Sequence, residues 1–131
     1  MVTYAIMCSA NGFNGRSYAD DKTVYYKNKM DVPFPSERMV FIDEGQATPN
    51  DFAMRYDSES WWDTPPIRHS EGSTFSFLDG HSEFHKWIAA DTVALGLGTG
   101  GNSTPQNEEA AEDLYYIQKG IWGKLGFNPS F

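Results

Sequence analysis

The chain has a single cysteine, Cys8, in 131 residues, which excludes an internal disulfide and a zinc cage built on cysteines. Basic residues are also scarce. Ten Lys and Arg stand against eighteen Asp and Glu, giving a net charge of -8 and a pI near 4.7. The resulting long-range field repels phosphate backbones and anionic lipid, so no nucleic-acid partner is expected. No apolar run approaches the roughly 20 residues a helix needs to cross a bilayer. No internal repeat and no G-x-S-x-G nucleophile element is present. The glycines between Gly96 and Pro105 lack the Lys-Ser/Thr of a phosphate loop and read as a connection.

What is abundant is apolar and aromatic. A content of 40% hydrophobic and 15% aromatic residues rules out a disordered chain and suits one self-folding domain over 1–131. Thr3 to Ser9 is a short apolar run stopped by Asn-Gly steps, a strand leading into turns. A second strand is expected at Thr23 to Lys27. The rigid Pro33-Phe34-Pro35-Ser36 segment delivers the chain to Arg38–Asp43, nearly continuous in hydrophobicity, as for an inner strand covered on both faces. Glu44 to Arg68 reads as a long functional or capping loop, and its acids read as a solvated surface rather than a cation site, because no EF-hand spacing is present. Calcium or another metal stays open at that loop, and no other cofactor is implied. Trp61 and Trp62 within it suit core capping, protein contact or carbohydrate stacking. Trp87 to Leu95 fits helix or strand. Asn107 can cap a closing helix with Glu108 and Glu109 in its first turn and Lys119-Gly120 at its end, and Ala110, Ala111, Leu114, Ile117 and Ile121 form its apolar stripe. The fold class is therefore α+β, a small and mainly antiparallel sheet of about four strands with a C-terminal helix.

The densest signal is Arg68 to Trp87, RHSEGSTFSFLDGHSEFHKW. Asp79-Gly80 between alternating runs predicts a two-residue type I′ hairpin, which needs positive φ at both central positions. That turn sets Phe77 opposite Ser82 and Phe75 opposite Phe84, making one face aromatic and buried. His81, Glu83 and His85 then share the opposite, polar face, too extended in line to hold one zinc ion. His69 with Asp79 is a tempting acid-base pair, but an extended strand between them carries the two apart. The expected roles are structural: Asp79 accepts backbone hydrogen bonds at the tip, Gly80 supplies positive φ, and Arg68 with His69 anchors the start of the strand. No nucleophile, base and oxyanion donor assemble. The buried thiol of Cys8 is expected to be inert.

His69, nine intervening residues, then Asp79-Gly80, with Arg68 before and His81 after, resembles the signature of the prepilin-type processing-associated H-X9-DG domain. Thr3 to Asn14 is similar to that family's opening strand and turn, Pro35 to Glu44 to its Pro-Ser and acid-ended strand, and Asp113 to Gly123 to its closing segment. The resemblance implies a pilin-like globular head, without its transmembrane helix in this stretch, from a pseudopilin-like structural subunit of a type II secretion or type IV pilus-like system. It further implies a non-enzymatic role and a periplasmic or cell-surface location, with an N-terminal helix outside these residues anchoring the full-length protein in the inner membrane. The implied partners are other pilin-like subunits and the secretion machinery. The alternative reading is an extracellular carbohydrate- or peptide-binding module using Trp61 and Trp62.

Overall fold

In the computed structural model, which describes residues 4–10, 18–20, 24–25, 31–44 and 51–131, the apolar runs pair into one antiparallel sheet of order β1-β2-β3-β4. The strands are β1 Tyr4–Ile6, β2 Met39–Asp43, β3 Gly72–Phe77 and β4 Ser82–Lys86, followed by helices α1 Ala90–Leu97 and α2 Glu108–Trp122. The protein is an α+β domain with its last helix C-terminal. Of the strand expected at Thr23 to Lys27, only Val24 and Tyr25 are described. Both are buried but lie outside the sheet, with the Tyr25 ring set edge-on against Trp122. Among the described residues no helix is long and apolar enough to cross a membrane.

The inner face of the sheet carries Ala5, Met39, Ile42, Phe75 and Phe77, all buried. Helix α2 packs on it through Leu114, Ile117 and Ile121, each fully buried. Gly120 lies where Met39 crosses the helix, and a methyl group there would collide with the Met39 side chain. The helix therefore does not stop at Lys119-Gly120 as its sequence suggests. It continues to Trp122, and Gly123 closes it with φ 83°. The start follows expectation, since the Asn107 side chain accepts from the Ala110 N–H at 2.9 Å. At the other end, Ser9 Oγ and Arg38 donate to the Ile121 carbonyl at 2.7 and 3.0 Å, filling an acceptor the helix itself leaves open. Trp87 to Leu95 resolves as helix from Ala90, and Gly98 ends it in the left-handed region. The connection beyond is tied down, since Asp91 accepts from the Asn102 backbone at 3.1 Å.

Two expectations about the sheet are corrected. Strand β2 is central but not covered on both faces, because Phe41 is 43% exposed. A register shift between Met39 and Phe41 marks a bulge, and the ring of Phe41 is turned out. The hairpin, moreover, is not the two-residue type I′ turn. Gly80 N–H donates to the Phe77 carbonyl at 3.0 Å and Phe77 N–H to the His81 carbonyl at 2.9 Å, so the loop is Leu78-Asp79-Gly80. Only Gly80 has positive φ, at 96°. One positive φ at the third loop residue is the turn-plus-bulge solution, and it avoids forcing Asp79 into the left-handed region.

The extra loop residue slips the pairing by one. Phe75 faces Glu83 and Thr74 faces Phe84. Since side chains alternate, a one-residue slip exchanges the faces of the whole strand. Phe84 is thus 53% exposed, and His81, Glu83 and His85 join the face of Phe75 and Phe77 rather than opposing it.

Candidate functional site

Three places gather chemistry-bearing side chains. The first holds the signature histidine. His69 Nε2 lies 2.7 Å from Asp43 Oδ2, with the Asp43 side chain 3% and the histidine 48% exposed. Asp43 ends β2, and Ser73 Oγ donates to its carbonyl at 2.6 Å. The second carboxylate oxygen of Asp43 is buried without a hydrogen-bond partner. The turn presenting His69 is strained: Ser70 and Glu71 follow at φ 54° and 64°, a conformation that costs a non-glycine residue about 1 kcal/mol or more. His69 N–H reaches the Gly72 carbonyl at 3.4 Å and Trp87 N–H the Glu71 carbonyl at 3.0 Å. The histidine therefore clasps the end of β2 to the start of β3. A buried carboxylate orienting an exposed imidazole is half of a nucleophile-activating set, but no serine, threonine or cysteine among the described residues bonds to His69. Cys8 is no substitute, since burial pushes its thiol up to about 12.

The second place is the hairpin tip with the inner side of β4. Asp79 accepts from the His81 backbone at 3.1 Å and pairs with its ring Nδ1. The hydrogen bond from His81 lowers the carboxyl of Asp79 below its ordinary range, and the same bond raises His81. The His81 ring stacks on Phe77 at 4.4 Å. Farther along, His85 stacks on Tyr116 at 3.7 Å and lies 3.7 Å from the fully buried Asp113. Asp113 accepts from the Ile88 and Ala89 N–H groups at 2.9 and 3.0 Å, so an α2 carboxylate holds the chain leading into α1. Burial, with Glu83 nearby, pushes Tyr116 up to about 12. Asp113 is a buried polar group satisfied by backbone donors, whereas His85 Nε2 beside it is buried without a hydrogen-bond partner.

The third place is a cavity of about 300 Å³ lined, among the described residues, by Glu44, Trp62, Asp63, Thr64, Pro66, Arg68 and others. The two adjacent tryptophans separate here. Trp61 is 7% exposed and packs edge-on against Trp87 at 5.6 Å, so it caps the core and is not an interaction surface. Trp62 is 60% exposed, its ring perpendicular to Tyr18 at 6.3 Å. Asp63 Oδ2 accepts from Ala53 N–H at 2.6 Å, and burial, with Glu44 and Asp51 adding repulsion, raises its carboxyl above the ordinary range. The Pro65-Pro66-Ile67 wall is fixed from behind, because the Trp87 indole donates to the Pro66 carbonyl at 2.5 Å.

Of the residues singled out by sequence, Arg68 borders this cavity, His69 meets Asp43, and Asp79, Gly80 and His81 form the hairpin tip. His69 and Asp79 are not brought together. Sequence reasoning missed Asp43 as the partner of His69, although an acid closing a hydrophobic strand was visible. It also missed Asp113, whose helical spacing from Ala110 and Ile117 places it on the buried stripe. Among the described residues no group of three or more His, Cys, Asp or Glu could hold a metal ion. No family model matches the chain, and no curated protein or solved structure matches it.

Proposed function

We propose that this domain is the globular head of a pseudopilin-like structural subunit, working outside the cytoplasm through contacts with like subunits. The observation that carries the reading is the use to which the H-X9-DG residues are put. His69 clasps β2 to β3 through Asp43, and Asp79, Gly80 and His81 close the β3–β4 hairpin, a use of the motif residues within the sheet that supports a structural role. A second feature suits assembly. The outer face of the sheet exposes Tyr4, Phe41 and Phe84 at 61, 43 and 53%, an apolar surface of the kind that marks protein contact. On this reading the protein is not an enzyme, its partners are other pilin-like subunits and the secretion machinery, and membrane attachment comes from a helix outside these residues.

The gene upstream of Met1 tests it most cheaply. A basic leader, a Gly-Phe-type processing site and an apolar segment of about 20 residues are expected, and an unrelated upstream domain would overturn the proposal. In cells, the full-length protein carrying Tyr4→Cys or Phe84→Cys should form disulfide-linked multimers in the membrane fraction. Cys8 will not compete, because it is fully buried. Monomers alone from both variants would count against assembly through this face.

A further inference from the structure

We infer that the cavity under Trp62 is a binding site for a neutral saccharide, in a place the assembly reading does not use. Its volume of about 300 Å³ is at the lower end of ligand sites, enough for one or two sugar rings. Its lining sorts the ligand classes by chemistry. Glu44 and Asp63 together with the net charge of -8 disfavour an anion. Arg68 in the same lining disfavours a cation. A purely apolar ligand would strip water from the Asp63 carboxylate without replacing its hydrogen bonds. A sugar satisfies all three conditions, being uncharged, with an apolar C–H face and a rim of hydroxyls that both donate and accept. Carboxylates only accept, so Asp63 is matched to the donor end of such hydroxyls.

The site is also built ahead of any ligand. Trp62 is the one exposed tryptophan of the four in the chain, and it is held edge-on by the buried Tyr18, whose hydroxyl donates to Asp51 at 3.1 Å. An exposed aromatic of this size, fixed rather than folded into the core, is a stacking platform with little left to order on binding. Asp63 is locked on both sides by Ala53: its N–H donates to the Ala53 carbonyl at 3.1 Å and its Oδ2 accepts from the Ala53 N–H. Its Oδ1 makes no hydrogen bond among the described residues and faces a ligand hydroxyl. The opposite wall does not yield either, since Gly96 of α1 packs so closely on the Pro65 carbonyl and Ile67 that a methyl group would collide with both.

The test is a titration of the purified domain with cellotriose, maltotriose, mannotriose and triacetylchitotriose at up to millimolar concentration, followed by tryptophan fluorescence and calorimetry, with oligolysine as a separate arm. At least one trisaccharide should give a saturable change in emission. Trp62→Ala should weaken that binding by about tenfold or more, Trp62→Phe by less, and Asp63→Ala should weaken it with the emission change retained. Circular dichroism checks that each variant keeps the parent fold, which the exposure of Trp62 favours. Heat or emission changes with none of the trisaccharides, binding of oligolysine in their place, or trisaccharide affinity unchanged in Trp62→Ala would each overturn the proposal.

Discussion

The two faces of the sheet divide their aromatic residues in opposite ways. On the inner face, Phe75 is fully buried between Trp87 and Tyr116, with ring centroids at 6.2 and 5.7 Å, and Phe77 is covered by the His81 ring. On the outer face, Tyr4, Phe41 and Phe84 remain open to solvent. Residues of one chemical type thus do two jobs: inside they pack on the segment before α1 and on Tyr116 of α2, and outside they are available for contact. Composition alone cannot separate the two sets. Register does, because it decides which pleat position each ring occupies.

The strongest way to break the comparison is to remove an inner ring. Phe75→Ala deletes a fully buried side chain that touches strand, loop and helix, and should cost about 3–5 kcal/mol. Urea denaturation followed by far-ultraviolet circular dichroism measures it. A loss below about 1 kcal/mol would mean that this face is not the core.

A smaller effect probes the turn that sets the register. Gly80→Val forces a β-branched residue to a φ of 96° and should cost about 1–3 kcal/mol. His85→Ala should cost less, about 1 kcal/mol, through its lost stacking on Tyr116. Had His85 stood on an open polar face the loss would be near zero, so the histidine variant tests the one-residue slip directly. A larger loss for His85→Ala than for Gly80→Val would mean that the contact with Asp113, not the turn, dominates this strand.

The outline of the fold was readable because its signals are local. The Asn107 cap, the apolar stripe of α2 and the runs at 39–43 and 72–77 each depend on a few adjacent residues. What was not readable depends on residues far apart. The Asp79-Gly80 pair is compatible with a two- or a three-residue loop, and the choice rests on Leu78, whose N–H donates to the Arg38 carbonyl at 2.9 Å. That contact is to the residue just before the neighbouring strand β2, far away in the chain, and leaves no mark in the hairpin sequence. The site divides likewise. His69 announced itself by spacing, but its partner Asp43 lies 26 residues earlier. The tandem Trp61-Trp62 gave no hint of which ring is buried, because Trp87 and Tyr18, which hold them, are distant in the chain.

The least disruptive substitution sharpens the comparison from its other side. Phe41 sits on a central strand with 43% of its surface exposed, opposite Ser76 in the register, so a large part of its ring stays in water after folding. Replacing it with threonine puts a β-branched side chain suited to a strand in its place and removes the exposed apolar area. Phe41→Thr should therefore lower stability by about 1 kcal/mol, against the several expected for Phe75→Ala. Its effect belongs to association instead: sedimentation velocity of the concentrated domain should show weaker self-contact in the variant, since an exposed apolar patch drives association through the same burial that folds the inner face. If Phe41→Thr destabilises the domain as much as Phe75→Ala does, the outer face is covered in the folded protein and is not the surface through which subunits meet.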